Sequence, residues 1–325
     1  MYYVLAILAS VCFALQFCMM KLYQKHTENN LTSSLVFTAA SAALTFPVFF
    51  ALNGFRLRIT TLTALICVGL AIITVVSTLN SIKILSYGKM SVYSLFMMLG
   101  GMALPYLFGI IVFSETLTDL KIVGMIVLVV SLVLSSKDKN SEITAKSAGV
   151  FYLLCLLAFV LNGATSILSA IQGKGWADGA DNMVWGMKVT GLYDYMCLSR
   201  LFTILFCALA VPLVFLKPKE ERNAELLSVK KIFKKQPVLA GVLFTVISVA
   251  GFVCQQICTP HLDSSVLFPI TTGGTVVLSA LLARVLYKEK TSGFMWFCIG
   301  LTALSTFLFM FGSMFPTTWF IDLFK

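Results

Sequence analysis

The chain has 325 residues, of which 59% are hydrophobic and only 12% charged, and its mean hydropathy is +0.94. That balance excludes a soluble globular domain and predicts a polytopic membrane protein. The net charge of +10 is spread over short segments between apolar runs, so it reads as membrane topology and not as a nucleic-acid-binding face.

Ten stretches are free of Asp, Glu, Lys and Arg: residues 2–20, 29–55, 59–82, 90–114, 122–136, 147–173, 201–216, 236–262, 264–283 and 291–321. A spanning helix needs about 20 mostly apolar residues to cross a hydrocarbon core of about 30 Å. The runs therefore predict an all-α polytopic membrane protein with ten transmembrane helices. The first run lacks a basic leader and a small-residue cleavage site, and reads as a spanning helix, not a signal peptide. Residues 122–136 reach full length only if Lys121 and Lys137 snorkel to the two interfaces. Residues 201–216 must extend back through Leu198, with Arg200 near one end.

Three polar interruptions are long. Residues 137–146 fall where a two-repeat chain would have its linker. Residues 173–190 hold Trp176 and Trp185 and suit an interfacial loop. Residues 217–235 mix Leu226, Leu227, Val229, Ile232 and Phe233 with charges, as either a helix on the membrane surface or a solvated loop. Loops after the odd helices carry 17 Lys and Arg and those after the even helices 7, which predicts odd loops in the cytoplasm and both termini outside.

The segment from Ser91 to Thr118 returns in outline from Ser264 to Ser292. Each copy has a serine nine residues before a Gly-Gly pair, then an apolar run, then a glutamate (Glu115, Glu289) followed closely by a threonine. The offset is near half the chain. Five helices per half then give two repeats of inverted topology, residues 1–140 and 141–325.

Two five-helix halves, an apolar fourth helix leading into Glu115-Thr116-Leu117-Thr118 or Glu289-Lys290-Thr291-Ser292, and a glycine in each fifth helix (Gly124, Gly300) make the chain similar to the EamA-type branch of the drug/metabolite transporter superfamily. It departs in having Gly100-Gly101 and Gly273-Gly274 where members often carry a proline. The resemblance implies transport of small metabolites such as amino acids, and related branches carry nucleotide sugars or choline.

An inverted repeat puts a binding site near the midplane, between the halves. The Gly pairs are candidate flexing points or close-packing points, each expected to face its twin. Polar side chains within the runs are costly against lipid and should point inward. These are Gln16, Asn80, Ser94, Asn162, Gln255, Gln256, Thr271 and Thr272, with Tyr93 as an aromatic wall. Lys83, Arg200 and Arg284 are the basic groups nearest the interior, and of these Lys83 and Arg200 are candidates to meet a substrate carboxylate. Each also has a packing or snorkelling role open to it.

No Asp or Glu lies deep in a run, which disfavours proton coupling through a buried carboxylate. Cys254 and Cys258 lie one turn apart without a His or acidic partner at ligand spacing, so no metal site is expected. No Walker, Rossmann, G-x-S-x-G or H-E-x-x-H pattern occurs. The expectation is a multi-pass protein of the cell membrane, monomer or homodimer, without cofactor or enzymatic activity. It would move an amino-acid-like compound, nucleoside or sugar by alternating access; the alternatives are a lipid-linked sugar flippase or a non-transporting scaffold.

Overall fold

In hydrocarbon no water can bond a bare backbone amide, so each apolar run must satisfy its N–H and C=O groups within its own helix. The computed structural model describes residues 1–27, 30–85, 90–136, 148–176, 182–216, 218–287 and 292–315. The chain runs through α1 (Tyr2–His26), α2 (Leu31–Leu52), α3 (Thr61–Leu85), α4 (Met90–Phe113), α5 (Asp119–Ser136) and α6 (Ala148–Lys174). After a hairpin of β1 (Met183–Val184) and β2 (Met187–Lys188) come α7 (Leu192–Ala210), α8 (Pro212–Phe215), α9 (Lys219–Ile232) and α10 (Lys235–Cys258). The last span region is α11 (Ser264–Phe268), a π-helical turn at Pro269–Gly273, α12 (Gly274–Tyr287) and α13 (Gly293–Met314).

Nine helices among the described residues are long and apolar enough to cross a membrane, with α7–α8 and α11–α12 each forming one span. The chain is an all-α polytopic membrane protein. The expected fifth span, α5, has 18 residues and is not among the nine. The expected snorkelling of Lys121 is corrected here: its side chain is fully buried, with Nζ donating to the Thr116 carbonyl at 2.8 Å and to Ser265 Oγ at 3.0 Å. Oxygens of the protein itself take the place of headgroup water. Lys137 lies outside the described residues.

Arg200 is the second correction. Because α7 begins at Leu192, Arg200 stands eight residues in, about 12 Å along the axis, too deep to sit at one end of its span. The polar segment 217–235 contains a helix, α9, tied to α2 by the Thr32 hydroxyl donating to Glu225 at 2.8 Å. In the 173–190 segment, Trp185 and Gly186 both have positive φ (49° and 77°). That is the type I′ geometry whose twist matches a two-residue hairpin. Trp176 donates to the Thr190 carbonyl at 2.6 Å and packs on Tyr195, so it is bound into the protein.

Packing crosses the middle of the chain. α1 lies along α10, α4 on α6, α5 on α13 and α2 on α7, while α3 touches both α6 and α7. The α5–α13 seam is hydrogen-bonded: Ser131 Oγ donates to the Cys298 carbonyl at 2.8 Å and Ser305 Oγ to the Gly124 carbonyl at 2.7 Å. Such bonds, with small residues that let backbones approach, hold helices together where lipid offers no hydrophobic drive.

Candidate functional site

At its C-terminal end α4 meets the beginning of α11. Ser114 takes a left-handed φ of 54° and turns Glu115 back, its amide donating to the Gly109 carbonyl at 3.0 Å. Gly109 is required there, because a Cβ on it would come within 2.4 Å of Glu115 Oε2. The buried carboxylate accepts the N–H of Ser264 at 2.8 Å and of Ser265 at 2.9 Å. A helix start leaves amides without partners and carries a positive dipole end. Asp263, at the capping position of α11, makes no side-chain cap bond, so Glu115 supplies the cap from a distant part of the chain. Glu115 thus serves the start of α11 and not that of α5, the next helix along the chain.

Two lysines complete the cluster. Lys174, at the end of α6, approaches Glu115 Oε1 at 3.3 Å. Lys121 reaches Asp263 at 3.5 Å besides its bonds to Thr116 and Ser265. Two acids and two bases thus latch α4 and α6 to α11. Beyond the latch, α4 keeps contact with α11 and the π-helical turn but draws away from α12. Where they separate lies a pocket of about 20 Å³ lined by Met98, Leu99, Met102, Leu128, Ser131, Val276 and Thr302. It has room for a water and not for a metabolite.

Deeper in the bilayer region, the Arg200 guanidinium lies 5.2 Å from the Phe252 ring of α10. Its Nε is buried and has no hydrogen-bond partner. Tyr195, five residues earlier on α7, is fully buried and also packs on Phe252. Ser248 and Gln256 stand one turn to either side of Phe252, so all three share a strip of α10. Ser248 Oγ and both amide atoms of Gln256 are buried without partners.

The other expected site residues fall into two groups. On α3, α4 and α6, Asn80 Nδ2 donates to the Leu154 carbonyl at 3.0 Å and leaves Oδ1 without a partner. Tyr93 OH pairs with Ser81 Oγ at 2.6 Å, and Asn162 Nδ2 donates to the Met97 carbonyl at 2.8 Å. Lys83 is exposed and Gln16 half-buried; the Ser94 side chain lies outside the described residues. On α10 and the π-helical turn, Gln255 Nε2 approaches Thr271 Oγ1 at 3.5 Å, and Thr272 is half-buried beside it. Cys258 donates from Sγ to the Tyr2 carbonyl.

The Gly pairs do not face each other. A Cβ on Gly100 would lie 1.8 Å from the Phe159 carbonyl oxygen of α6, and one on Gly101 2.5 Å from Asn162 Nδ2. On Gly273 it would meet Thr306 Oγ1 at 2.3 Å, and on Gly274 Ser10 Oγ at 2.8 Å. Each pair packs against other helices, and Gly273 also lies against α4, where a Cβ on it would come 3.0 Å from Met102 Cε. Each also adjoins a backbone weak point. Pro105 removes the bond that the Gly101 carbonyl would accept, and Pro269–Gly273 is π-helical, a form often found at functional sites.

No protein-family model matches the chain, and no curated protein matches it. A solved structure titled "Crystal structure of protein" is similar to it, with a TM-score of 0.60 and 14% identity, over 94% of this chain and 95% of that one. At that identity the likeness is one of fold alone. Glu115, Lys121, Lys174, Ser248 and Phe252 were not among the residues that the sequence picks out for a site. The signals available were the serine pair that follows Asp263 at the head of an apolar run and the glutamate landmark itself.

Proposed function

We propose that this chain is a secondary transporter or facilitator that moves a small polar metabolite across a cell membrane by alternating access, as an EamA-type member of the drug/metabolite transporter superfamily, and not an enzyme. The observation that carries the reading is the uneven closure between α4 and the α11–α12 span. The two are latched at the Glu115 end, and past the π-helical turn Met98, Leu99 and Met102 of α4 face Val276 of α12 across a water-sized pocket. A contact that closes one side of the membrane is what one state of an alternating-access cycle requires.

The pairing of helices supports two inverted halves. Exchanging helices one to five with six to ten turns α1–α10 into α6–α3, α4–α6 into the α12–α1 contact, and α3–α7 into α10–α2, and returns α5–α13, α2–α7 and α4–α11 to themselves. Every one of these contacts occurs. Partners related by the exchange are unequally close: α1 follows α10 over much of its length, α3 and α6 over less. In an inverted repeat that asymmetry is what reverses when the open side changes. Glu289, the sequence counterpart of Glu115, lies outside the described residues. By the distribution of basic residues, the Glu115 latch closes the external side.

The test is flux in liposomes holding the purified protein, with radiolabelled amino acids, nucleosides, sugars and small carboxylates. Saturable uptake and counterflow of at least one solute is expected. Flux no greater than in protein-free vesicles for every solute, with scrambling of lipid-linked sugars, would replace this reading by the flippase.

A further inference from the structure

We propose that Arg200 is the anion-recognition point of the transport path and that the transported metabolite carries a carboxylate; this names the substrate class and rests on the transport reading above. A charged side chain about 12 Å inside a span is costly unless something compensates it, and such residues mark substrate paths. No carboxylate among the described residues pairs with Arg200, and its Nε has no partner. The Phe252 ring offers a cation–π contact, but a ring is no substitute for oxygen acceptors, so the N–H donors await a ligand.

α7 and α10 meet through side chains: Phe252 packs against the clusters that hold Tyr195, Leu198, Met196 and Cys197, and Arg200 lies over its ring. Arg200 is half-buried overall, and its Nε is buried. Gln256 is 1% exposed with both its donor and acceptor unused, and the Ser248 hydroxyl is unused one turn beyond Phe252. Buried amides and hydroxyls are normally bonded. Here they are free to take the polar groups of a solute whose carboxylate is held by the guanidinium fork, the pairing that its geometry suits best.

One guanidinium neutralises one negative charge. The two buried or half-buried lysines nearest in role, Lys121 and Lys174, are engaged in the latch. A phosphate close to two charges would therefore lack its second cation, which selects the carboxylate.

The experiment measures binding to the purified wild type by melting temperature and titration calorimetry. The probes are acetate, succinate, benzoate and phenylalanine, each beside its methyl ester, with inorganic phosphate as a further probe. At least one acid is expected to bind and its ester to bind about thirtyfold or more weakly. Arg200→Gln should lose the acid's binding and Arg200→Lys should keep part of it. Esters binding as well as acids, Arg200→Gln binding unchanged, phosphate binding more tightly than every acid, or no acid binding would each overturn the proposal. Should Arg200→Gln fail to fold, the acid-to-ester ratio in the wild type still decides. Acid binding without flux would sink the transport reading and leave the site; flux of a neutral solute without acid binding would do the reverse.

Discussion

Glu115 accepts the backbone N–H of Ser264, 149 residues further along the chain, at 2.8 Å. One helix is thus capped by a loop from the other half of the sequence. The cap is local chemistry with a long-range effect, because the two elements that it joins are those whose separation would open that side. The cluster is not saturated: Ser264 Oγ and Thr118 Oγ1 are buried without partners. Such groups cost free energy in the latched arrangement.

Glu115→Gln keeps the shape of the side chain but removes the charge from two amide bonds and from Lys174. Hydrogen bonds to a charged group contribute about 1.5–3 kcal/mol each, and an amide retains part of that. A loss of about 2 kcal/mol in stability is expected, read as a lower melting temperature. A melting temperature equal to the wild type would mean that the latch holds nothing.

Lys121→Met preserves length and removes a cation that three oxygens surround. The Asp263 partner is partly exposed, so solvent weakens that pair. The main cost is the stranding of the Thr116 carbonyl and Ser265 Oγ, about 2 kcal/mol. If Lys121 instead stayed hydrated near an interface, Lys121→Met would leave thermal stability unchanged and Lys121→Glu would be tolerated.

A glycine series separates packing from flexing. Gly100→Ala drives a methyl into the backbone oxygen of Phe159, which cannot yield without moving α6, so folded yield should fall steeply. Gly274→Ala meets only the Ser10 side chain and should cost about 1 kcal/mol. Gly300→Ala meets nothing within 4 Å and is the control, neutral or slightly stabilising. If Gly274→Ala lowers turnover more than binding or melting temperature, the π-helical turn flexes during transport; parallel losses assign the position to packing.

The 17 to 7 division of Lys and Arg is tested by a reporter active only in the cytoplasm, fused after Lys325. It should stay dark. A bright fusion would reverse the sides and make the Glu115 latch the inner one.

The helices were legible in the sequence because lipid leaves the backbone a single solution, and ten uncharged runs announce it. Asn80, Asn162 and Gln255 were legible as inward-facing for the same reason. Their partners were not, since an inter-helix bond depends on which helices adjoin. Phe252 is one of 27 phenylalanines, and only the arginine beside it sets it apart. Lys121 misled because a lysine at the edge of an apolar run ordinarily reaches water; the oxygens that receive it come from Thr116, Asp263 and Ser265, two of them far along the chain. The role of Glu115 lay hidden in the same way, since its amide partners are local to a different helix.

Hydrogen exchange of the reconstituted protein reaches the central claim most directly, by comparing backbone amides at the two ends of the α4 and α11–α12 contact in the wild type and in Glu115→Gln. If the ends close in turn, weakening the latch raises exchange at Ser264–Phe268 and lowers it at Met90–Met97, where the opposite side gains population. Faster exchange at both ends would show a loosened fold and no exchange of gates, and unchanged exchange at Ser264–Phe268 would contradict the latch itself.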